Sequence, residues 1–190
     1  MSDEDRVRWD DRYARHQPGP AVGPELPIVF QPFVDTFPTA GQALDLACGL
    51  GSLSVWLARR GLHVWGLDVS PVAISAARAL ADDSGLAGHC RFEVADLDGG
   101  LPAGPHVELV VCNKFRDPGL DSAIIGRLAP GGLLAVSALS QVGATPGPFR
   151  VKPGELQQAF AKLDHIAAGE AHGEAHGEAW LLARKPKSDA

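Results

Sequence analysis

Asp45, Gly49, Gly51 and Asp68 are the residues whose types and spacing point first to chemistry. The two glycines close the run Leu44-Asp45-Leu46-Ala47-Cys48-Gly49-Leu50-Gly51, where an apolar stretch ends and a helical pattern begins. Glycines there let the backbone turn sharply and approach a ligand, and the helix that follows offers unpaired N–H groups and the positive end of its dipole. Such a turn accepts a carboxylate or a phosphate, although a lone Gly-x-Gly is also an ordinary tight strand-to-helix turn. Asp68 closes the next apolar stretch, where a carboxylate can accept both hydroxyls of a ribose. A dinucleotide fingerprint requires a third glycine where this chain has Ser54. Asp45 is unfavourable beside a pyrophosphate but suits an ammonium group, directly or through water. The ligand described by these residues has a ribose, a carboxylate and an ammonium, and no phosphate.

Presenting those residues together requires a scaffold that lines up the ends of neighbouring elements. Residues 43–47 read as a short strand, 52–60 as a helix and 63–67 as a second strand, with Gly61 as a C-terminal cap. A helix over 70–83 is announced by Ser70 as N-cap and Pro71 at the first helical position. Its stripe is Val72, Ala73, Ala76, Ala77 and Leu80. Strands over 90–95 and 107–112, a helix over 120–128 and a strand over 133–139 continue the alternation, the last following the turn Pro130-Gly131-Gly132. This pattern predicts an α/β fold, a mainly parallel sheet covered on both faces. After a Gly/Pro-rich loop at 143–148, residues 155–162 read as a helix and 180–184 as a final strand, antiparallel to a partner over 164–168. The tetrapeptide Ala-His-Gly-Glu, repeated at 171–174 and 175–178, is too short for a repeat architecture and reads as a hairpin tip. Ahead of the alternation, 1–41 reads as an arm in which Trp9, Tyr13 and His16 share one side of a helix. A Pro/Gly-rich crossing and an apolar piece over 28–34 follow it. The expected organisation is one domain over 1–190, with 1–41 as arm or lid and 42–190 as the α/β core.

The 190 residues suit one domain, since cores close at roughly 100–200 residues. Hydrophobic residues make up 45% and charged residues 21%, and Cys48, Cys90 and Cys112 form neither a disulfide framework nor a Cys-x-x-Cys zinc site. A reducing, cytoplasmic setting is expected. No run approaches a membrane span or a secretion signal. With 17 Lys+Arg against 23 Asp+Glu the net charge is -6, so nothing global attracts nucleic acid. His172 and His176 are four apart, but Gly173 and Gly177 oppose a helix and no third ligand is near, so no metal is expected.

The glycine run resembles the first motif of the class I S-adenosylmethionine-dependent methyltransferases. Gly66-Leu67-Asp68-Val69-Ser70, with Ala73-Ile74 and Ala77, is similar to their second-strand motif and the helix behind it. Glu93-Val94-Ala95-Asp96-Leu97 resembles their third-strand end, and Leu128-Ala129-Pro130-Gly131-Gly132-Leu133-Leu134 the approach to their fifth strand. Trp9-Asp10-Asp11-Arg12-Tyr13 and Phe149-Arg150-Val151-Lys152-Pro153-Gly154-Glu155-Leu156 resemble a compact bacterial branch related to tellurite-resistance and thiopurine-type methyltransferases. The resemblance implies a three-layer, Rossmann-like sandwich with a seven-stranded sheet whose last strand is antiparallel. It implies S-adenosyl-L-methionine as cofactor, with Ala47, Gly49 and Gly51 along its methionine part and Asp45 at its amino end. Asp68 would take the ribose, Val69 and Leu97 the adenine ring, and Asp96 its amino group, with Cys112 also lining the cofactor.

The reaction implied is in-line transfer of a methyl group, for which alignment and water exclusion are the protein's main contribution. Cys112-Asn113-Lys114-Phe115-Arg116-Asp117 follows the fourth strand and lacks the Asn/Asp-Pro-Pro-aromatic motif of enzymes that methylate base amines. Asn113 is a candidate to hold an ammonium through its carbonyl, and Lys114 or Arg116 to pair with an anionic acceptor; a solvated loop is the plainer reading. Tyr13 and Trp9 serve either as a lid near the sulfonium or as an anchor for the arm. Tyr13, Asp10 and His16 are candidate proton sinks. Arg150 and Lys152 either border the site or face solvent. The expected acceptor is a small molecule, with no nucleic-acid or membrane partner, and the protein a monomer or homodimer. Two rivals stay open: a non-catalytic binding protein on this scaffold, and a nicotinamide-dependent oxidoreductase, weakened by Ser54 and Asp45.

Overall fold

The computed structural model describes residues 3–15, 24–142, 150–171 and 177–187. His16, the loop at 143–148, Phe149, His172 and His176 lie outside the described residues. Seven strands form a sheet in the order β3-β2-β1-β4-β5-β7-β6, and the chain divides into two compact units, Met1–Pro102 and Ala103–Ala190.

In the first unit, α1 (Asp3–Arg15) precedes a 3-10 segment, Ile28–Thr36, interrupted at Phe33 just after Pro32. Strands β1 (Gln42–Leu46), β2 (His63–Asp68) and β3 (Cys90–Val94) are parallel, with Leu46 beside Leu67 and Asp68 beside Val94. This register brings the carboxyl ends of β1, β2 and β3 to one edge. Four of the five β1 residues are buried, as expected of a parallel strand without a wet face. Helix α2 (Ser52–Arg59) starts at Gly51, and α3 (Pro71–Asp83) at Ser70, whose hydroxyl accepts the Ala73 N–H. Val55, Ile74, Ala77, Ala81 and Phe92 pack these helices onto the strands. The alanines on α3 allow a close approach.

In the second unit, β4 (Val107–Cys112) runs parallel to β5 (Leu128–Leu139), and β7 (Glu178–Arg184) lies antiparallel between β5 and β6 (Asp164–Ala171). Strand β5 starts earlier than the sequence predicts, because residues 129–132 join it through a register shift opposite Val107/Leu109. Lys185 and Gly131–Gly132 exchange backbone hydrogen bonds there. The Pro-Gly-Gly signal marks an irregularity within the strand. Helix α4 (Asp121–Arg127) follows a 3-10 turn at Pro118–Leu120, and α5 (Glu155–Ala159) is shorter than expected, ending in a turn at Phe160. No helix among the described residues is long and apolar enough to cross a membrane.

Candidate functional site

The turn after β1 coils through three left-handed residues, Ala47 (φ 55°), Gly49 (φ 53°) and Gly51 (φ 81°). Such dihedrals suit glycine and strain alanine, so Ala47 is held by its surroundings. The two glycines serve different ends. A Cβ at Gly51 would stand 2.7 Å from Ala77 Cβ and 3.3 Å from the Phe92 ring, so close packing of α3 excludes a side chain there. A Cβ at Gly49 would stand 3.1 Å from the Tyr13 hydroxyl of α1.

Asp68 ties this turn to the end of β2. Its Oδ2 accepts the Gly49 N–H at 2.9 Å and its Oδ1 the Ser70 N–H at 2.9 Å. The Ser70 hydroxyl donates to Asp10, which holds α1 against the N-terminus of α3. Burial raises the Asp68 pKa; N–H groups of Ser70, Gly49 and Val69 oppose that shift, and the charge of Asp10 adds to it. Asp45 is more enclosed, at 2% exposure, and accepts the Ser54 hydroxyl at 2.5 Å. Burial pushes its pKa up to about 7, against the Ser54 hydrogen bond and with the charge of Asp68.

Tyr13 stacks on Trp9 at 5.7 Å, and Arg12 lies over the Trp9 ring at 5.1 Å. Burial, then the charges of Asp68 and Cys48, raise the Tyr13 pKa, with Arg12 opposing. Tyr13 therefore keeps its proton at neutral pH, which opposes the role of a proton sink. The Cys48 thiol is pushed up by burial and by Asp45 and Asp68, the reverse of an activated nucleophile. At the neighbouring strand ends Val69 and Leu97 are buried, while Asp96 is exposed and accepts the Asp98 N–H at 3.0 Å. The first unit thus gathers Tyr13, Asp45, Ala47, Gly49, Gly51 and Asp68 around one turn, with Val69, Asp96 and Leu97 along the same strand-end edge.

In the second unit Cys112 is buried at the end of β4. Asn113 Oδ1 accepts the Ser137 hydroxyl at 3.0 Å, and Ser137 Oγ accepts the Lys114 N–H at 3.1 Å. The Asn113 carbonyl, expected to face an ammonium, thus already has a donor, which turns the amide nitrogen away from Ser137. Lys114 is exposed and left-handed (φ 57°). Arg116, expected to pair with an anionic acceptor, is instead committed to the chain's own carboxylates. Its Nη atoms donate to Asp121 at 2.5 and 2.9 Å, its Nε stands 3.6 Å from Glu155, and its guanidinium lies over Phe160 at 5.8 Å. Arg150 donates to the Ser140 carbonyl at 2.6 Å, while Lys152 is exposed.

Sequence reasoning missed the parts played by three buried serines. Ser54 was visible only as the missing third glycine and Ser70 only as a cap, and Ser137 carried no signal beyond being a hydroxyl inside an apolar run. Among the described residues no group of three or more His, Cys, Asp or Glu is arranged for a metal. The donor set fits S-adenosylmethionine. Asp45 is an acid without a cationic partner among the described residues, and Asp68 accepts backbone N–H groups through both oxygens while keeping acceptor capacity. Val69 and Leu97 supply apolar surface.

Residues 43–132 match the methyltransferase domain family. An uncharacterized RNA methyltransferase of Parasynechococcus marenigrum is 31% identical over 67% of this chain and 30% of its own length. A ubiquinone biosynthesis O-methyltransferase of a Methylobacterium species is 32% identical over 69% of this chain and 49% of its own. The chain thus spans between about a third and a half of these relatives. In fold it is similar to TehB from Haemophilus influenzae, with TM-score 0.73 and 18% identity over 93% of this chain and 67% of that one. Magnesium protoporphyrin IX methyltransferase from Synechocystis, solved with bound S-adenosylhomocysteine, gives TM-score 0.72 and 16% identity over 96% and 98%. Residues 43–132 are thus similar to the methyltransferase domain family, and the seven-stranded order with an antiparallel β7 is a fold shared with these solved structures.

Proposed function

We propose that the chain binds S-adenosylmethionine at the Gly49 turn and catalyses transfer of its methyl group to a small-molecule acceptor. The observation that carries this reading is the Gly49–Asp68 junction, where one carboxylate holds the glycine turn and still has lone pairs for a diol. When bound, S-adenosylmethionine supplies a methyl group on a sulfonium, so no metal or nucleophilic residue is called for. Asp45 serves the ammonium end, and Ala47, Gly49 and Gly51 bring backbone close to the methionine part. Asp68 takes the ribose hydroxyls, Val69 and Leu97 flank the adenine, Asp96 accepts from its amino group, and Cys112 adds apolar lining. Tyr13 closes the turn from α1 and excludes water. Asn113 offers an amide N–H to the acceptor. Arg116 supports that role by fixing the loop after β4.

A small molecule is favoured by the net charge of -6, which disfavours a phosphate backbone, and by the O-methyltransferase relative. The RNA methyltransferase relative supports a second reading, methylation of RNA. Titration with S-adenosylhomocysteine tests the cofactor part. Asp68→Ala is expected to weaken binding at least about tenfold, because charged hydrogen bonds to two hydroxyls are lost. An unchanged dissociation constant would remove Asp68 from the ribose role. Screening thiols, phenols, amines, carboxylates, metalloid oxyanions and RNA for S-adenosylhomocysteine release then separates the two acceptor classes. Release with RNA alone would overturn the small-molecule reading.

A further inference from the structure

Asp45 poses an electrostatic problem that the fold leaves unsolved. Its side chain is buried near the end of β1, and its hydrogen-bond donor is a neutral hydroxyl, Ser54 Oγ of α2 at 2.5 Å, itself fully buried. The titratable groups that face it are acids. Asp68 reaches it from the end of β2, Cys48 lies in the turn, and Cys90 of β3 feels its charge. No arginine or lysine among the described residues pairs with it. A buried carboxylate without a cation is costly and takes up a proton instead.

Resting on the cofactor reading above, we infer that Asp45 holds a proton in the ligand-free chain and releases it when the ligand's ammonium arrives, with Ser54 as the positioning residue that sets the pH of the exchange. On binding, the Asp45 carboxyl O–H bond breaks and the proton goes to solvent. The ligand ammonium keeps its own protons and becomes the missing counter-charge. Ser54 donates to the carboxylate and so favours the ionised form; removing it makes the proton harder to lose. The same serine occupies the position of a third glycine, so an apparent defect in the fingerprint becomes a tuning element for the acid behind it. Burial pushes the Asp45 pKa up to about 7, which puts the exchange within an accessible range.

Isothermal titration of the full chain with S-adenosylhomocysteine, in two buffers of different ionisation enthalpy at each pH, reads both affinity and proton release. The dissociation constant should tighten about tenfold between about pH 6 and pH 8 and level off above, with proton release strongest at the acid end. Ser54→Ala should move the levelling point to higher pH. Asp45→Asn should bind more weakly, with a flat pH profile and no Asp45-linked release. Flat wild-type affinity with buffer-independent heats would overturn the inference while leaving the cofactor reading intact. Proton release that persists in Asp45→Asn would also overturn it, by assigning the proton to another group. If Asp45→Asn fails to bind, the Ser54→Ala profile decides, and an unshifted profile overturns the role of Ser54. Absence of S-adenosylhomocysteine binding at every pH would instead sink the underlying cofactor reading, and the inference with it.

Discussion

Asp45 in the first unit and Arg116 in the second are both charged groups largely removed from water, at 2% and 9% exposure, yet their surroundings treat them in opposite ways. Arg116 has a bidentate partner in Asp121, a second carboxylate in Glu155 and an aromatic face in Phe160. Asp45 has a serine. A charge whose partners are built into the fold is structural, whereas one left without a counter-charge is available to a ligand. Residue type alone does not tell them apart, and both were site candidates on the sequence.

The largest effect that tests this contrast is expected from Arg116→Ala. It strands Asp121 and Glu155 beside a lost guanidinium and should destabilise the chain by about 2–4 kcal/mol, read as a drop in melting temperature. Unchanged stability would show that the ion pairs of the second unit are as dispensable as surface ones.

Asp45→Asn should act in the opposite direction. The folded pKa of Asp45, about 7, lies above its unfolded value, so the folded chain binds the extra proton between those two values. That contribution is fully present below about pH 4 and is lost as pH rises toward 7. The asparagine variant, with no charge to bury, should therefore match wild type in acid and exceed it by up to about 4 kcal/mol near pH 8. Denaturant melts at the two pH values check this. A variant less stable than wild type at pH 8 would mean that the charge of Asp45 is compensated after all.

The smallest expected effect sharpens the comparison at the backbone level. Ala47 and Lys114 are both left-handed, one in each unit. Lys114 is exposed, so Lys114→Gly should simply relieve strain and stabilise by about 0.5–1 kcal/mol in thermal melts. A loss of stability would show that the Lys114 side chain contributes more than its dihedral costs.

Much of this protein was legible from its linear pattern. The boundaries of β1, α2, β2, α3 and β4 fall within a residue or two of those predicted, because apolar periodicity, the Ser70-Pro71 cap and the glycine breaks are local signals. Local pattern failed at β5, where pairing with β4 and β7 carries an irregular Pro-Gly-Gly segment into the strand, and at α5, which ends early. At the site, residue types and order alone determined the glycine turn and the acid at the next strand's end, since a turn's chemistry is set by its own few residues. Tertiary structure decided which polar groups were already satisfied. Asp68 is shared between Gly49 and Ser70, Arg116 is consumed by Asp121 and Glu155, and Asp45 is left with Ser54. Those partners lie elsewhere in the chain, and burial and charge compensation exist only after folding has brought them together.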